Sequence, residues 1–298
     1  MEDHDGSLLV IDTGGWLSWG CPTSKLAKPQ LLGAIYRIRR KDGAKTSDPL
    51  GEKINWKLSS HEDLTALLAD QRPRLRDRAR ETLVSRGKGT EPALVAFLEK
   101  SGSPEARVRA IWALSRTGGE KARSALRAAL GDSDQGVRQA ASRSLGELRD
   151  AAAIEALCRI VKDGARSTRR VAAEALGKIG GPNAVQAILQ SMETSSDDYL
   201  DHALCYALID IADADGTLAG LSSRSSLVRR LSLVALDRMG ARLAFKQVLP
   251  LLDTEDAALK RAALEIAGRH PDWAKNIASL LDNWLKIKNP DPSYRAML

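Results

Sequence analysis

Aromatic side chains make up only 4% of this 298-residue chain, and no run of about 18 apolar residues occurs in it. The first shortage argues against a large sheet core, and the second excludes a membrane-spanning helix from the sequence reading. Cysteine is scarce too: Cys21, Cys158 and Cys205 lie far apart, with no CxxC pair and no Cys/His pair at metal spacing. That excludes a disulfide framework, a haem attachment motif and a zinc site. The four histidines, His4, His61, His202 and His270, fall in separate regions. No spacing brings them into a Ser/His/Asp or metal arrangement, so no catalytic residue, metal or cofactor is expected. Gly14-Gly15 and Gly180-Gly181 read as turn glycines and lack a phosphate-loop pattern. Met1 is followed by Glu2, Asp3, His4 and Asp5, the opposite of a basic signal-peptide start.

What the chain does have is 43% apolar residues, rich in Ala and Leu, and a formal net charge of +7. This composition favours helices packed through small side chains and provides enough apolar material for a real core. The positive charge admits an acidic partner only where Lys and Arg cluster on one face.

The segment Val137-Arg138-x-x-Ala141-x-x-x-Leu145-Gly146 returns as Thr168-Arg169-x-x-Ala172-x-x-x-Leu176-Gly177. The same frame recurs seven times, with its last apolar anchor at Leu83, Leu114, Leu145, Leu176, Leu208, Leu236 and Ala267. Successive gaps are 31, 31, 31, 32, 28 and 31. Seven residues before each anchor stand Arg76, Arg107, Arg138, Arg169, Asp201, Arg229 and Lys260; four before it stand Ala79, Ala110, Ala141, Ala172, Leu204, Ser232 and Ala263. Each frame therefore predicts a helix with one buried stripe, a small residue where neighbours approach, and a basic row beside it. Upstream of each lies a partner helix, at 63–69, 92–99, 122–130, 152–161, 184–192, 217–221 and 243–252, and most pairs are separated by turn residues such as Gly102-Ser103-Pro104.

The Val-Arg-x-x-Ala-x-x-x-Leu-Gly frame has an Asp six residues before its Arg at Asp70, Asp132 and Asp163, and it resembles HEAT-like repeats of the short bilin-lyase type. The resemblance covers roughly residues 59–288 and implies an all-α, α-α superhelix of about seven hairpins. It says little about function, because the repeat is a scaffold put to many tasks. Asp70, Arg76, Arg107, Asp132, Arg138, Asp163, Arg169 and Arg229 read as a structural ladder, with Asp also suited to cap the following helix. The fifth copy, with Asp201 and Leu204, interrupts the ladder.

Residues 1–58 differ. Asp5–Asp12 and Gly33–Arg40 are β-branched or alternating apolar runs beside glycine and predict two strands, too few to be stable alone. With Thr13-Gly14-Gly15-Trp16, Gly20-Cys21-Pro22 and Lys28-Pro29 between them, they resemble the last blade of planctomycete-type membrane-bound dehydrogenase-like β-propellers, relatives of sugar dehydrogenases. That family often continues into HEAT-like repeats and a c-type haem domain. The resemblance implies the tail of a longer, exported protein, whereas a chain starting at Met1 is expected in the cytoplasm. One blade cannot supply a propeller's cofactor site, so no catalytic residue is carried over. Trp16, Trp19 and Cys21 read as a loop on its own sheet. Residues 289–298 form a C-terminal tail.

The exposed edge of the second helices is the candidate binding face, lining the concave side of a solenoid. Its candidates are Trp112, Arg143, Arg170, His202, Tyr206, Arg230 and Val234. Glu81, Glu147, Glu174, Asp210 and Glu265 interrupt the arginines, which argues against nucleic acid and against a HEAT-like DNA glycosylase. The expected function is a non-catalytic, monomeric scaffold that binds another protein or another domain of a longer parent chain.

Overall fold

The computed structural model describes residues 3, 7–12, 14, 32–39, 41 and 47–285. Trp16, Trp19, Cys21, His4 and the 289–298 tail lie outside the described residues. The chain divides into two compact units, Met1–Ala125 and Leu126–Leu298.

Two strands open the first unit, β1 (Leu8–Asp12) and β2 (Ala34–Ile38), paired antiparallel with Leu8 opposite Ile38 and Val10 opposite Tyr36. Residues 61–267 then form seven helix pairs. They are α1 (His61–Ala66) with α2 (Pro73–Arg86), α3 (Glu91–Lys100) with α4 (Pro104–Thr117), and α5 (Glu120–Ala128) with α6 (Gln135–Glu147). There follow α7 (Ile154–Asp163) with α8 (Arg166–Ile179), α9 (Pro182–Glu193) with α10 (Asp198–Ile211), α11 (Ala214–Leu218) with α12 (Ser226–Arg238), and α13 (Phe245–Leu252) with α14 (Ala257–Ala267). A further helix, α15 (Ala274–Leu285), was not anticipated.

Local signals explain these boundaries. Ser103, Asp134, Asp197, Ser225 and Asp256 each accept a backbone N–H from the first turn of their helix, at α4, α6, α10, α12 and α14. Gly118 ends α4 in the left-handed conformation, φ 76°, which glycine adopts at little cost.

All seven frame anchors are buried, as are all seven residues of the small row. Each buried leucine contributes roughly 1.5–3 kcal/mol by leaving water. Within the first unit α1 packs on α3 and α2 on α4. Within the second, α6, α8, α10, α12 and α14 pack successively, as do α7, α9 and α11. Within each unit, a pair leans mainly on its neighbours, the energetics of a repeat array.

Residues 47–60 are held onto the first unit by contacts that the repeat frame does not reveal. Trp56 is buried, donates from Nε1 to the Gly51 carbonyl at 2.8 Å, and lies under the Arg78 guanidinium at 4.5 Å. Arg86 donates to the carbonyls of Trp56, Lys57 and Ser59.

Candidate functional site

The basic row serves the turns. Arg76 donates to the carbonyls of Asp70 and Gln71 at 3.0 and 2.9 Å, Arg107 to Ser101 at 2.9 Å, Arg138 to Asp132 and Ser133 at 2.6 and 2.9 Å, and Arg229 to Ser223 and Arg224 at 2.8 and 3.2 Å. One guanidinium thus satisfies carbonyls left over where the first helix of a pair ends.

Arg169 does more and is itself buried. Its Nε donates to Val161 O at 2.9 Å, and its Nη2 reaches Ser191 O, Ser191 Oγ and Thr194 Oγ1 at 2.9, 2.8 and 3.1 Å. Arg169 therefore closes its own turn and also the end of α9. In the latter role it stands in for the fifth copy, where Asp201 occupies the basic slot, has no donor to offer, and keeps Oδ1 buried without a partner.

The ladder aspartates do not cap the second helices, which corrects the sequence expectation. The cap lies two residues further on. Asp132 accepts from the Asp134 N–H at 2.8 Å, and Asp134 caps α6. Asp70 binds the Arg72 guanidinium, a hydrogen bond that lowers the pKa of its carboxyl. Asp163 ends α7, and the residue before α8, Ala165, offers no side-chain cap.

On the outer row, Trp112 is exposed on α4 of the first unit. The other six candidates belong to the second unit. Arg143 and Arg170 are exposed and Arg230 half-buried, and among the described residues none of the three has a hydrogen-bond or ion-pair partner. The carboxylates nearest Arg143 and Arg230 are already engaged, Glu147 by Lys178, and Asp256 by the Ser226 hydroxyl at 2.7 Å and the Leu259 N–H at 2.8 Å. Val234 turns inward instead: it is half-buried against the cluster of Leu233, Leu243 and Leu251, so it presents no protruding anchor.

His202 and Tyr206 face solvent together on α10, their ring centroids 4.9 Å apart. Tyr199, which the frame positions passed over, stands 75% exposed one turn before His202, and Tyr206 is 54% exposed. Residues 199, 202 and 206 follow the i, i+3, i+7 spacing that puts side chains on one helical face. That spacing was the available signal. In a chain with only four tyrosines, two share this exposed stripe. The helices packed against α10 on either side, α8 and α12, carry Arg170 and Arg230.

The other histidines are accounted for locally. His61 is the first residue of α1, and His270 stacks on the buried Trp273 with centroids 4.0 Å apart. Cys205 is buried and donates to Leu231 O, and burial pushes its thiol up to about 11. No group of three or more potential metal ligands occurs among the described residues. None of the helices described is long and apolar enough to cross a membrane.

Helix pairs repeated at near-constant spacing, buried through one recurring stripe and closed by a recurring arginine, define an α-helical repeat protein. The chain belongs to the HEAT repeats family, whose family model matches residues 61–141 and 125–209, together half of its length. It is similar in fold to the complex of CpcE and CpcF of phycocyanin lyase from Nostoc sp. PCC7120, at 21% identity over 89% of this chain and 98% of that one, TM-score 0.43. It is also similar to the archaeal HEAT-like repeats protein from Thermococcus onnurineus NA1, at 16% identity over 70% and 96%, TM-score 0.42. Human deoxyhypusine hydroxylase in complex with glycerol aligns at 16% identity over 74% and 100%, TM-score 0.33. No curated protein matches the chain. The family match begins at residue 61, and the propeller-blade resemblance of residues 1–58 receives no support from these comparisons.

Proposed function

We propose that this protein is a non-catalytic HEAT-like scaffold that holds a protein partner, or another domain of a longer chain of its own, on the exposed face of its second helices. The observation that carries this reading is the stripe of Tyr199, His202 and Tyr206 on α10, with Arg170 and Arg230 on the helices beside it. Tyrosine and arginine are the residues that supply most of the energy of protein interfaces, because both bury a flat apolar surface and still offer a directed polar end. Trp112 gives the first unit an exposed aromatic of the same kind.

A nucleic-acid interface is disfavoured because Glu81, Glu147, Glu174, Asp210 and Glu265 are exposed along the same rows and would repel phosphates. The dehydrogenase-like alternative rests on the N-terminal resemblance alone. The test is affinity capture from the source cells with the wild-type chain and with the Tyr199→Ala/Tyr206→Ala variant, alongside thermal melts. Loss of a discrete partner at unchanged melting temperature supports the reading. Equal recovery by both proteins contradicts it.

A further inference from the structure

The fifth copy of the frame puts an acid, Asp201, where the other six carry a base, and the exchange leaves oxygens without donors. At Arg76, Arg107, Arg138 and Arg229 the guanidinium donates to the carbonyl six residues earlier, and all but Arg107 also reach the carbonyl after it. The register is the same at Asp201: Asp197 caps α10 four residues before it, as Asp134 precedes Arg138 and Ser225 precedes Arg229. The carbonyls so placed are those of Ser195 and Ser196, and among the described residues neither accepts a hydrogen bond. Ser195 Oγ is buried without a partner as well. Asp201 is only 8% exposed, its Oδ1 is buried, and its carboxylate is bonded to nothing among the described residues. Arg169 ends short of this turn, on Ser191 and Thr194.

One carboxylate, one hydroxyl and two main-chain carbonyls thus belong to a slot that a guanidinium fills in other copies. Buried oxygens with no donor of their own are costly, and a cation relieves that cost. Asp201 is too enclosed for a partner's arginine to reach, whereas a bare ion needs little space. The ligand set contains a single Asp and no Glu, His or Cys; its oxygens suit a hard ion, not the softer metals that clustered imidazoles and thiolates hold. Carbonyls in an irregular turn favour calcium, which takes about six to eight oxygens in flexible geometry, over magnesium, which demands a near-ideal octahedron. Local charge favours a divalent ion over a monovalent one. Residues 179–223 carry seven Asp or Glu and no Lys or Arg, in a chain whose net charge is +7. Of these, Glu193, Asp197 and Asp198 flank the turn and together outweigh the opposing charge of Arg169.

We propose that the turn before α10 is a calcium site, with Asp201, Ser195 Oγ and the carbonyls of Ser195 and Ser196 as its protein ligands and water completing the shell. The test is calorimetric titration of the full chain with calcium chloride, alongside thermal melts in calcium, magnesium and a chelator. With a single carboxylate the expected dissociation constant lies at about 10⁻⁴ to 10⁻³ M, and calcium should raise the melting temperature more than magnesium does. Asp201→Asn should weaken calcium binding at least about tenfold, since it removes the one charged ligand. Asp198→Asn, which changes an exposed neighbour, should alter it by no more than about threefold, because exposed charges are screened. Asp201→Arg restores the residue type of the other copies and supplies the cation from the chain itself. It should melt no lower than the wild type in chelator, and calcium should leave its melting temperature unchanged. The proposal is overturned if the wild type shows no response up to about 10 mM calcium, well above the weakest sites of this kind. It is also overturned if magnesium stabilises as much as calcium, if Asp201→Arg still responds to calcium, or if Asp198→Asn weakens binding as much as Asp201→Asn, the mark of a diffuse acidic surface.

Discussion

Gly146 of α6 lies so close to Ala175 of α8 that a Cβ at position 146 would stand 2.8 Å from the Ala175 Cα. Gly177 of α8 meets Ala207 of α10 in the same way, at 3.1 Å. The glycine that ends the Leu-Gly element of the frame is thus a requirement of helix approach, not of turn geometry. Gly146→Ala is expected to destabilise the protein by roughly 1–3 kcal/mol through overpacking, even though alanine gains about 1 kcal/mol in helix propensity. Gly131→Ala, where a Cβ meets nothing within 4 Å, should change stability by no more than about 0.5 kcal/mol. Chemical denaturation of the two variants decides the matter, and equal effects would mean that the α6–α8 approach is looser than described.

Leu145 is fully buried on α6, and Leu145→Ala is expected to cost about 2–5 kcal/mol by opening a cavity in the stripe. Glu174, exposed on α8, should tolerate alanine within about 0.5 kcal/mol. Urea titrations of both variants check the orientation of the frame, because similar losses would require a rotated one.

Arg169→Gln should cost about 2–4 kcal/mol, because buried carbonyls at Val161 and Ser191 lose a charged donor together. Arg169→Lys should not restore stability, since an ammonium cannot reach both turns with the planar fork of a guanidinium. Arg76→Gln, whose acceptors lie in a partly exposed turn, should cost less than half as much. A melting temperature equally low in Arg76→Gln and Arg169→Gln would contradict the double role of Arg169.

Burial raises the Cys205 thiol to about 11. The folded state therefore holds this proton more tightly than the unfolded chain. The corresponding stability is complete below the ordinary thiol range and is lost as pH rises from there towards the folded value. Cys205→Ala removes this dependence. The wild-type stability should fall faster between pH 8.5 and 10.5 than that of Cys205→Ala, by up to about 1.4 kcal/mol per pH unit. Parallel curves would mean that the thiol ionises freely in the folded state.

Much of this architecture is legible in the sequence because a helix buries one residue in every three or four, so anchors such as Leu83, Leu145 and Leu236 repeat visibly and all prove buried. Strands β1 and β2 are legible for a different reason, the apolar and β-branched character of their runs beside glycine, since most of their side chains are exposed. The partners of the arginines are not, because Arg76 and Arg138 bind main-chain carbonyls, which every residue possesses and no motif marks. The helix α15 carries no copy of the frame, so the 31-residue repeat does not mark it, although Ile277, Leu280 and Leu281 fall at helical spacing and pack against the last cluster. Val234 occupies a solvent position by count, yet the neighbouring pair around Leu243 covers it, an effect of tertiary packing that spacing along one helix cannot register. Tyr199 lies outside the frame positions, although its spacing to His202 and Tyr206 was open to reading.

The most direct test of the central claim is photo-crosslinking in the source cells with a photoreactive phenylalanine derivative placed at position 206, and separately at Leu249, an exposed residue of α13 away from the stripe. The account predicts a discrete protein adduct from position 206 that disappears when Tyr199 is changed to alanine, and no such adduct from position 249. Adducts of equal yield at both positions, or none at 206, would contradict a protein-binding role for this face.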